Sequence, residues 1–274
     1  MDRHGPLCVG IDPHPTLVES WGLTYDLGGL ERFALTCVEA FGGRVAAVKP
    51  QSAFFEVFGS RGVAVLERAI TGLREAGTLS ILDVKRGDIG STMSAYARAF
   101  LGDDASAPAD AVTLSPYLGY ESLRPALDLA GETGRGVFIL TITSNPEGAD
   151  VQQAVYDGRT VAASVVGQAT ADNAWARERG ELGSVGLVVG ATVGTAVADL
   201  GLDLLTANTP ILAPGLGAQG GTAQALARTF GPAMGQVLAS SSREVLAHGP
   251  DARRLVTQAE RVIATLRSCV QGPP

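Results

Sequence analysis

Short, strongly apolar runs recur along the chain, and each is followed by a segment of helical character. The runs are "LCVGID" ending at Asp12, "VAAVKP" ending near Lys49, "LSILDVK" ending at Lys85 and "AVTLSP" ending near Ser115. Then come "GVFILTIT" ending at Thr143, "VGLVVGAT" near Thr192, "ILAPGLG" near Gly217 and "QVLASSS" near Ser242. They are too continuous to have one wet face, so they predict parallel strands covered on both sides. Between them, "SAYARAFLG" closes on Gly102 and "ALARTFG" on Gly231, as helices ending at glycine do. The clearest helix is "DARRLVTQAERVIATLRSCV", with Leu255, Val262, Ile263 and Leu266 on one apolar face. No Pro/Ser linker, charge block or repeat divides the chain. Strand–helix alternation about eight times predicts a (β/α)8 TIM barrel, one domain spanning residues 1–274. A doubly wound sheet is the structural alternative. The longest connection, 144–183, opens on the polar "SNPEGAD", a lid or an ordinary loop, and then turns helical.

Composition narrows the function classes. The 274 residues are 46% hydrophobic, enough to bury a large core without disulfide or metal staples. The formal charge is −7 and no long Lys/Arg cluster occurs, which argues against a nucleic-acid surface. Cys8, Cys37 and Cys269 form no CxxC, and His4, His14 and His248 no HxH or HxxxH, so a metal site built on them is not expected. No apolar run reaches membrane length, and the N-terminus lacks a signal-peptide pattern. A soluble cytoplasmic protein with reduced thiols is the expectation.

The polar residues collect at the C-terminal ends of the runs, where barrels carry their active sites: Asp12, Lys49, Asp83, Lys85, Ser144, Gln219 and Arg243. Asp83 and Lys85 interrupt a buried strand. Alternation points them the same way, with Val84 opposite. Charges in a barrel mouth need partners. The plain interpretation is a structural Asp83–Lys85 ion pair with Asp88 capping the next helix. Lys49, one strand earlier, permits instead an alternating array of Lys49, Asp83, Lys85 and Asp88. The "RGD" at residues 86–88 is the tail of this motif. "GLGAQG", 215–220, has the spacing of a dinucleotide loop, but the next strand ends in "SSSRE" rather than an acid. Its place on the seventh strand, with Arg243 after the eighth, fits a phosphate site of backbone N–H groups, Gln219 and a bidentate arginine.

Together "GIDPHP", "AVKPQSAFFE", "LDVKRGDIGST", "PYLG", "TSNP", "VVGAT", "APGLGAQGG" and "SSSRE" resemble the orotidine 5'-phosphate decarboxylase family, in its longer bacterial, mycobacterial-like type 2 branch. The resemblance covers nearly the whole chain. It implies a homodimer of barrels converting orotidine 5'-monophosphate to UMP and CO2 with no metal and no organic cofactor. It also implies roles: Lys85 as proton donor to C6, Asp83 beside the substrate carboxyl group, and Lys49 bonding Asp83 and the ribose. Asp88, Ile89 and Thr92 would reach the partner's site. Asp12 would contact ribose, Ser144 the pyrimidine amide and Pro214 the base, while Gln219 and Arg243 would hold phosphate.

Three rivals remain at this stage. Phosphosugar enzymes that share D-x-K-x-x-D typically bind Mg2+ and carry an acid where Lys49 stands. A Schiff-base aldolase would want a lysine of depressed pKa, and flanking aspartates do the reverse. A non-catalytic nucleotide binder would have no need of Lys85.

Overall fold

The apolar runs pair in chain order and close on themselves. In the computed structural model, which describes residues 1–218 and 220–270, eight parallel strands form one closed barrel. They are β1 (Leu7–Ile11), β2 (Ala47–Pro50), β3 (Leu79–Arg86), β4 (Ala111–Leu114), β5 (Gly136–Ile142), β6 (Val185–Val189), β7 (Ile211–Pro214) and β8 (Val237–Ser241). Each strand bonds to its sequence neighbours, and β8 closes on β1 with Leu7 opposite Ala239. The (β/α)8 expectation holds. The ring leaves no unpaired strand edge within the barrel.

Helices follow each strand and cover the outside: α1 (Leu27–Phe41), α2 (Gly59–Glu75), α3 (Gly90–Leu101), α4 (Arg124–Glu132), α5 (Val161–Asp172), α6 (Ala196–Asp199), α7 (Ala223–Phe230) and α8 (Ala252–Val270). Their starts and stops follow local chemistry. Asp26 caps α1 by accepting from the Gly29 N–H at 2.8 Å. Thr222 caps α7 through the Ala225 N–H at 3.1 Å. The glycine stops at Gly102 and Gly231 fall where the sequence places them. In α8, Leu255, Val262, Ile263 and Leu266 are all buried.

The strands bury both faces because alternate residues serve two cores. In β1, Leu7, Val9 and Ile11 pack outward beneath the helices, while Cys8 turns inward. In β3, Leu82 and Val84 face outward and Ile81 inward. Cys8, Ala47, Ile81, Ala111, Phe138 and Leu238 belong to a packed apolar plug inside the barrel. That plug is the floor of whatever lies above it.

Two differences from the sequence expectation have physical causes. β7 ends at Pro214, short of Gly217, because Gly215 and Gly217 take φ of 109° and 78°, which no strand continues. The long connection 144–183 carries more structure than a lid or loop. It contains a short helix, Ala149–Gln152, and a two-stranded hairpin, Val155–Tyr156 with Arg159–Thr160, before α5 begins. The hairpin turns on Asp157 and Gly158, both at positive φ, the Asp-Gly signature of a tight turn.

Candidate active site

Moving two residues up each strand from the apolar plug reaches the next inward-facing layer. Ala47 is followed by Lys49, Ile81 by Asp83, Ala111 by Thr113 and Leu238 by Ser240. All four line a cavity of about 290 Å3 at the C-terminal mouth of the barrel. Leu140, Val188, Leu212 and Pro214 give it an apolar wall, and Arg243 stands at its rim. Charge is thus concentrated in one sector, with apolar surface opposite.

Asp83 is the hub. Lys49 Nζ donates to its Oδ2 at 3.1 Å, and Gln51 Nε2 to the same oxygen at 2.8 Å. Lys85 Nζ donates to Oδ1 at 2.6 Å, and the Thr113 hydroxyl to Oδ1 at 2.8 Å. Burial alone would raise the Asp83 carboxyl, but the ammonium groups of Lys49 and Lys85, with the bonds from Lys85 and Thr113, outweigh it and hold it at about 2. Lys49 is equally enclosed. Burial alone would lower its ammonium, yet the carboxylates of Asp12 and Asp83 hold it above the usual lysine range. Asp12 Oδ1 lies 3.9 Å from Lys49 Nζ. It is buried and makes no hydrogen bond, so its nearest compensating charge is that ammonium.

The alternating array is real, with one change of membership. Within a single chain the order is Asp12, Lys49, Asp83, Lys85. Asp88 stands apart. Its Oδ1 accepts from the Ile89 N–H at 2.8 Å, and Ile89 and Thr92 are exposed rather than directed into this chain's cavity. Ile89, not Asp88, occupies the cap position of α3 and makes no side-chain cap bond. The expected direction of Asp83 and Lys85 holds, and Val84 packs outward.

The glycine-rich loop expected to hold phosphate is built by interlocking turns. After β7, Gly217 N–H bonds the Gly221 carbonyl at 2.8 Å and Gly221 N–H bonds that of Gly215 at 3.0 Å. A Cβ on Gly217 would lie 2.0 Å from Glu244 Oε2, so only glycine fits there. Arg243 opens a short helix, Arg243–Leu246, beside this loop. Gln219 lies outside the described residues. On β1, a Cβ at Gly10 would fall 1.9 Å from Ser242 Oγ, and Ser242 lines the cavity in the space that glycine leaves.

At the other end, Ser144 is exposed just past the cavity wall, where its neighbour Thr143 takes the lining position. Gln152 clamps Thr143 twice: its Oε1 accepts the Thr143 N–H at 2.9 Å, and its Nε2 donates to Thr143 Oγ1 at 2.8 Å. Gln51, Thr113, Ser240 and Ser242 are site residues that the sequence reading left unnamed. Each stands two or four residues beyond an inward-facing position of the apolar plug, a phase that shows only once the barrel is known. Among the described residues no group of three or more His, Cys, Asp or Glu side chains is placed to hold a metal ion. No helix among them is long and apolar enough to cross a membrane.

Comparison with known proteins gives the same direction. Residues 5–255 match the family described as orotidine 5'-phosphate decarboxylase / HUMPS. An orotidine 5'-phosphate decarboxylase of Salinispora tropica is 59% identical over 271 residues, covering 98% of this chain and 95% of that protein. The crystal structure of a candidate orotidine 5'-phosphate decarboxylase from Streptomyces avermitilis superposes with a TM-score of 0.94 at 55% identity, covering 99% of this chain and 93% of that one. The OMP decarboxylase of Leishmania donovani superposes at 0.73 and 31% identity, covering 97% and 96%.

The charge hub has a pH signature. Asp83 drops from its ordinary value of 3.8 to about 2 on folding, so its ionised form favours the folded state. That contribution is complete above about pH 4 and is lost as pH falls through about 2; at 1.36 kcal/mol per unit it amounts to ~2 kcal/mol. Urea midpoints measured between pH 5 and pH 2 should fall for the parent protein. Asp83→Asn should start lower, because Lys49 loses the nearer of its two carboxylates, and should fall less across that window. Equal slopes for the two proteins would contradict the assignment.

Proposed function

The chain belongs to the orotidine 5'-phosphate decarboxylase / HUMPS family, and from that premise we propose how its site converts orotidine 5'-monophosphate to UMP and CO2, a step of pyrimidine biosynthesis. The observation that carries the reading is the buried carboxylate of Asp83, gripped by two lysines above an apolar floor.

Loss of CO2 from C6 leaves an electron pair in an in-plane orbital that the ring delocalises poorly. The barrier is therefore electrostatic, and enzymes supply about 8–23 kcal/mol against such barriers. Lys85 meets the need: a compact ammonium fixed by Asp83, half-exposed toward the cavity, stabilises the charge growing at C6. It then delivers one of its protons there, and C6–H replaces C6–CO2−. Asp83 lies beside the departing carboxylate. Two like charges about 3 Å apart repel by roughly 5 kcal/mol at an effective dielectric of 20, and that repulsion disappears as CO2 leaves. The preorganised ammonium is the larger contribution in this reading.

The remaining groups hold the substrate. Lys49 and Asp12, which both line the cavity, face the ribose hydroxyls. Pro214 and the apolar wall take the pyrimidine, whose amide is read by Ser144. The glycine turns after β7, Gln219 and Arg243 take the phosphate. No metal or organic cofactor has a role. A divalent cation would meet Lys49 where the Mg2+-dependent relatives carry an acid, and activity should survive EDTA.

The acting unit in this reading is a cytoplasmic homodimer. Ile89 is 62% exposed, and Val57, Tyr117 and Leu118 on the neighbouring loops after β2 and β4 are exposed with it. An apolar group of this kind on adjacent loops suits a second copy of the chain. Docked there, Asp88, Ile89 and Thr92 would complete the partner's site, with Asp88 beside the partner's catalytic lysine.

Purified protein should consume the absorbance of orotidine 5'-monophosphate, and Lys85→Ala should cut the rate by more than about 10^3-fold with its circular dichroism unchanged. Undiminished turnover by that variant would sink the mechanism. Arg243→Ala should lower kcat as well as raise KM, each by about tenfold or more, since phosphate binding orders the charged array. A raised KM with parental kcat would count against that coupling. Mixing inactive Lys85→Ala with inactive Asp88→Asn chains should restore about a quarter of parental activity, because half the dimers then carry one intact shared site. A mixture that stays inactive would show that Asp88 serves only its own chain.

A further inference from the structure

The pairing of β3 with β4 breaks where Lys85 sits. Ile81 lies opposite Ala111 and Leu82 opposite Val112, but pairing resumes only at Arg86 opposite Leu114. Thr113 is the one residue between Val112 and Leu114, and it faces the bulged segment 83–85. Inside the bulge Lys85 takes φ 45°, a left-handed conformation that strains a residue with a side chain. Such strain persists only where neighbouring groups enforce it.

Thr113 supplies the enforcing contacts. The Lys85 N–H donates to Thr113 Oγ1 at 2.9 Å, and Thr113 Oγ1 donates to Asp83 Oδ1 at 2.8 Å. The Lys85 ammonium returns to the same Asp83 oxygen at 2.6 Å. Backbone, hydroxyl, carboxylate and ammonium therefore form a closed loop through one buried hydroxyl, which is 1% exposed. Asp83 is also the only carboxylate within ion-pair distance of Lys85 among the described residues.

We propose that Thr113 is a positioning residue for Lys85: its hydroxyl locks the bulge to the Asp83 carboxylate and so aims the ammonium into the cavity. The inference rests on the role given to Lys85 above. Replacing the hydroxyl by a methyl leaves the part-buried Lys85 N–H and a lone pair of the Asp83 carboxylate without their partner, which the bulge relieves by relaxing. Lys85 then moves, while the phosphate, ribose and pyrimidine contacts do not. Misplacing a reacting group by about 1 Å costs on the order of 10^2-fold in rate.

The test compares Thr113→Val and Thr113→Ser with the parent and with Lys85→Ala, using orotidine 5'-monophosphate turnover and thermal melting followed by circular dichroism. Thr113→Val should lose about 10^2-fold in kcat with KM within about threefold, and Thr113→Ser should recover to within about fivefold of the parent. If Thr113→Val does not fold, Thr113→Cys, of similar shape with a weak hydrogen-bonding group, replaces it with the same expected split. Parental kcat in the valine variant beside an inactive Lys85→Ala overturns this inference alone. Equal impairment of the serine and valine variants also overturns it, since packing rather than the hydroxyl would then be at stake. Turnover that survives Lys85→Ala overturns the mechanism and this inference with it.

Discussion

One carboxylate sets the terms for the mouth of this barrel. Asp83 is buried, yet it stays ionised because Lys49, Lys85, Gln51 and Thr113 all donate to it. Neither Lys49 nor Asp83 could stand there alone, because a lone ion in such a place loses several kcal/mol of hydration. Asp12 extends the chain of opposite signs by one more member. The charges neutralise one another as a set, so the barrel mouth can hold two ammonium groups over an apolar floor.

The barrel makes this possible by layering. An apolar plug that includes Phe138, Ile81 and Leu238 fills the interior, and the charged layer rests on it one inward position higher. The plug keeps water from reaching the charges from below. Opposite them, the apolar wall of Val188, Leu212 and Pro214 offers the low-dielectric surface that strengthens every electrostatic interaction in the cavity. The floor also keeps Cys8 out of the chemistry: burial pushes its thiol up to about 12, so it stays protonated beneath Lys49.

The barrel was legible because two-sided burial forces continuous apolar runs, and eight of them with intervening helices leave few alternatives. Asp83, Lys85 and Lys49 were legible because charges inside such runs break the pattern. Thr113 and Ser240 were not, because threonine and serine break nothing; they become visible only once the inward phase of each strand is known. The bulge at Lys85 was hidden for a related reason. Simple alternation gives the right facing for Asp83 and Lys85, so nothing in the pattern betrays the shifted register at Arg86. Asp88 illustrates a further limit: spacing put it beside Lys85, whereas within one chain it bonds its own neighbour's backbone. The Asp157–Gly158 hairpin is readable from its dipeptide, although its strands are only two residues each and carry no apolar run.

The glycine at 217 has a consequence for how the chain can vary. Its missing side chain is the socket for Glu244, and Glu244 adjoins Arg243. The turn after β7 and the short helix after β8 are therefore keyed together like a dovetail joint. Even an alanine at 244 would leave its Cβ 2.8 Å from a Cβ at 217, where φ is 78°, so shortening residue 244 does not open position 217 to a side chain. The two turns at this end of the barrel mouth are thus inherited as one block, with glycine at 217 as its fixed point.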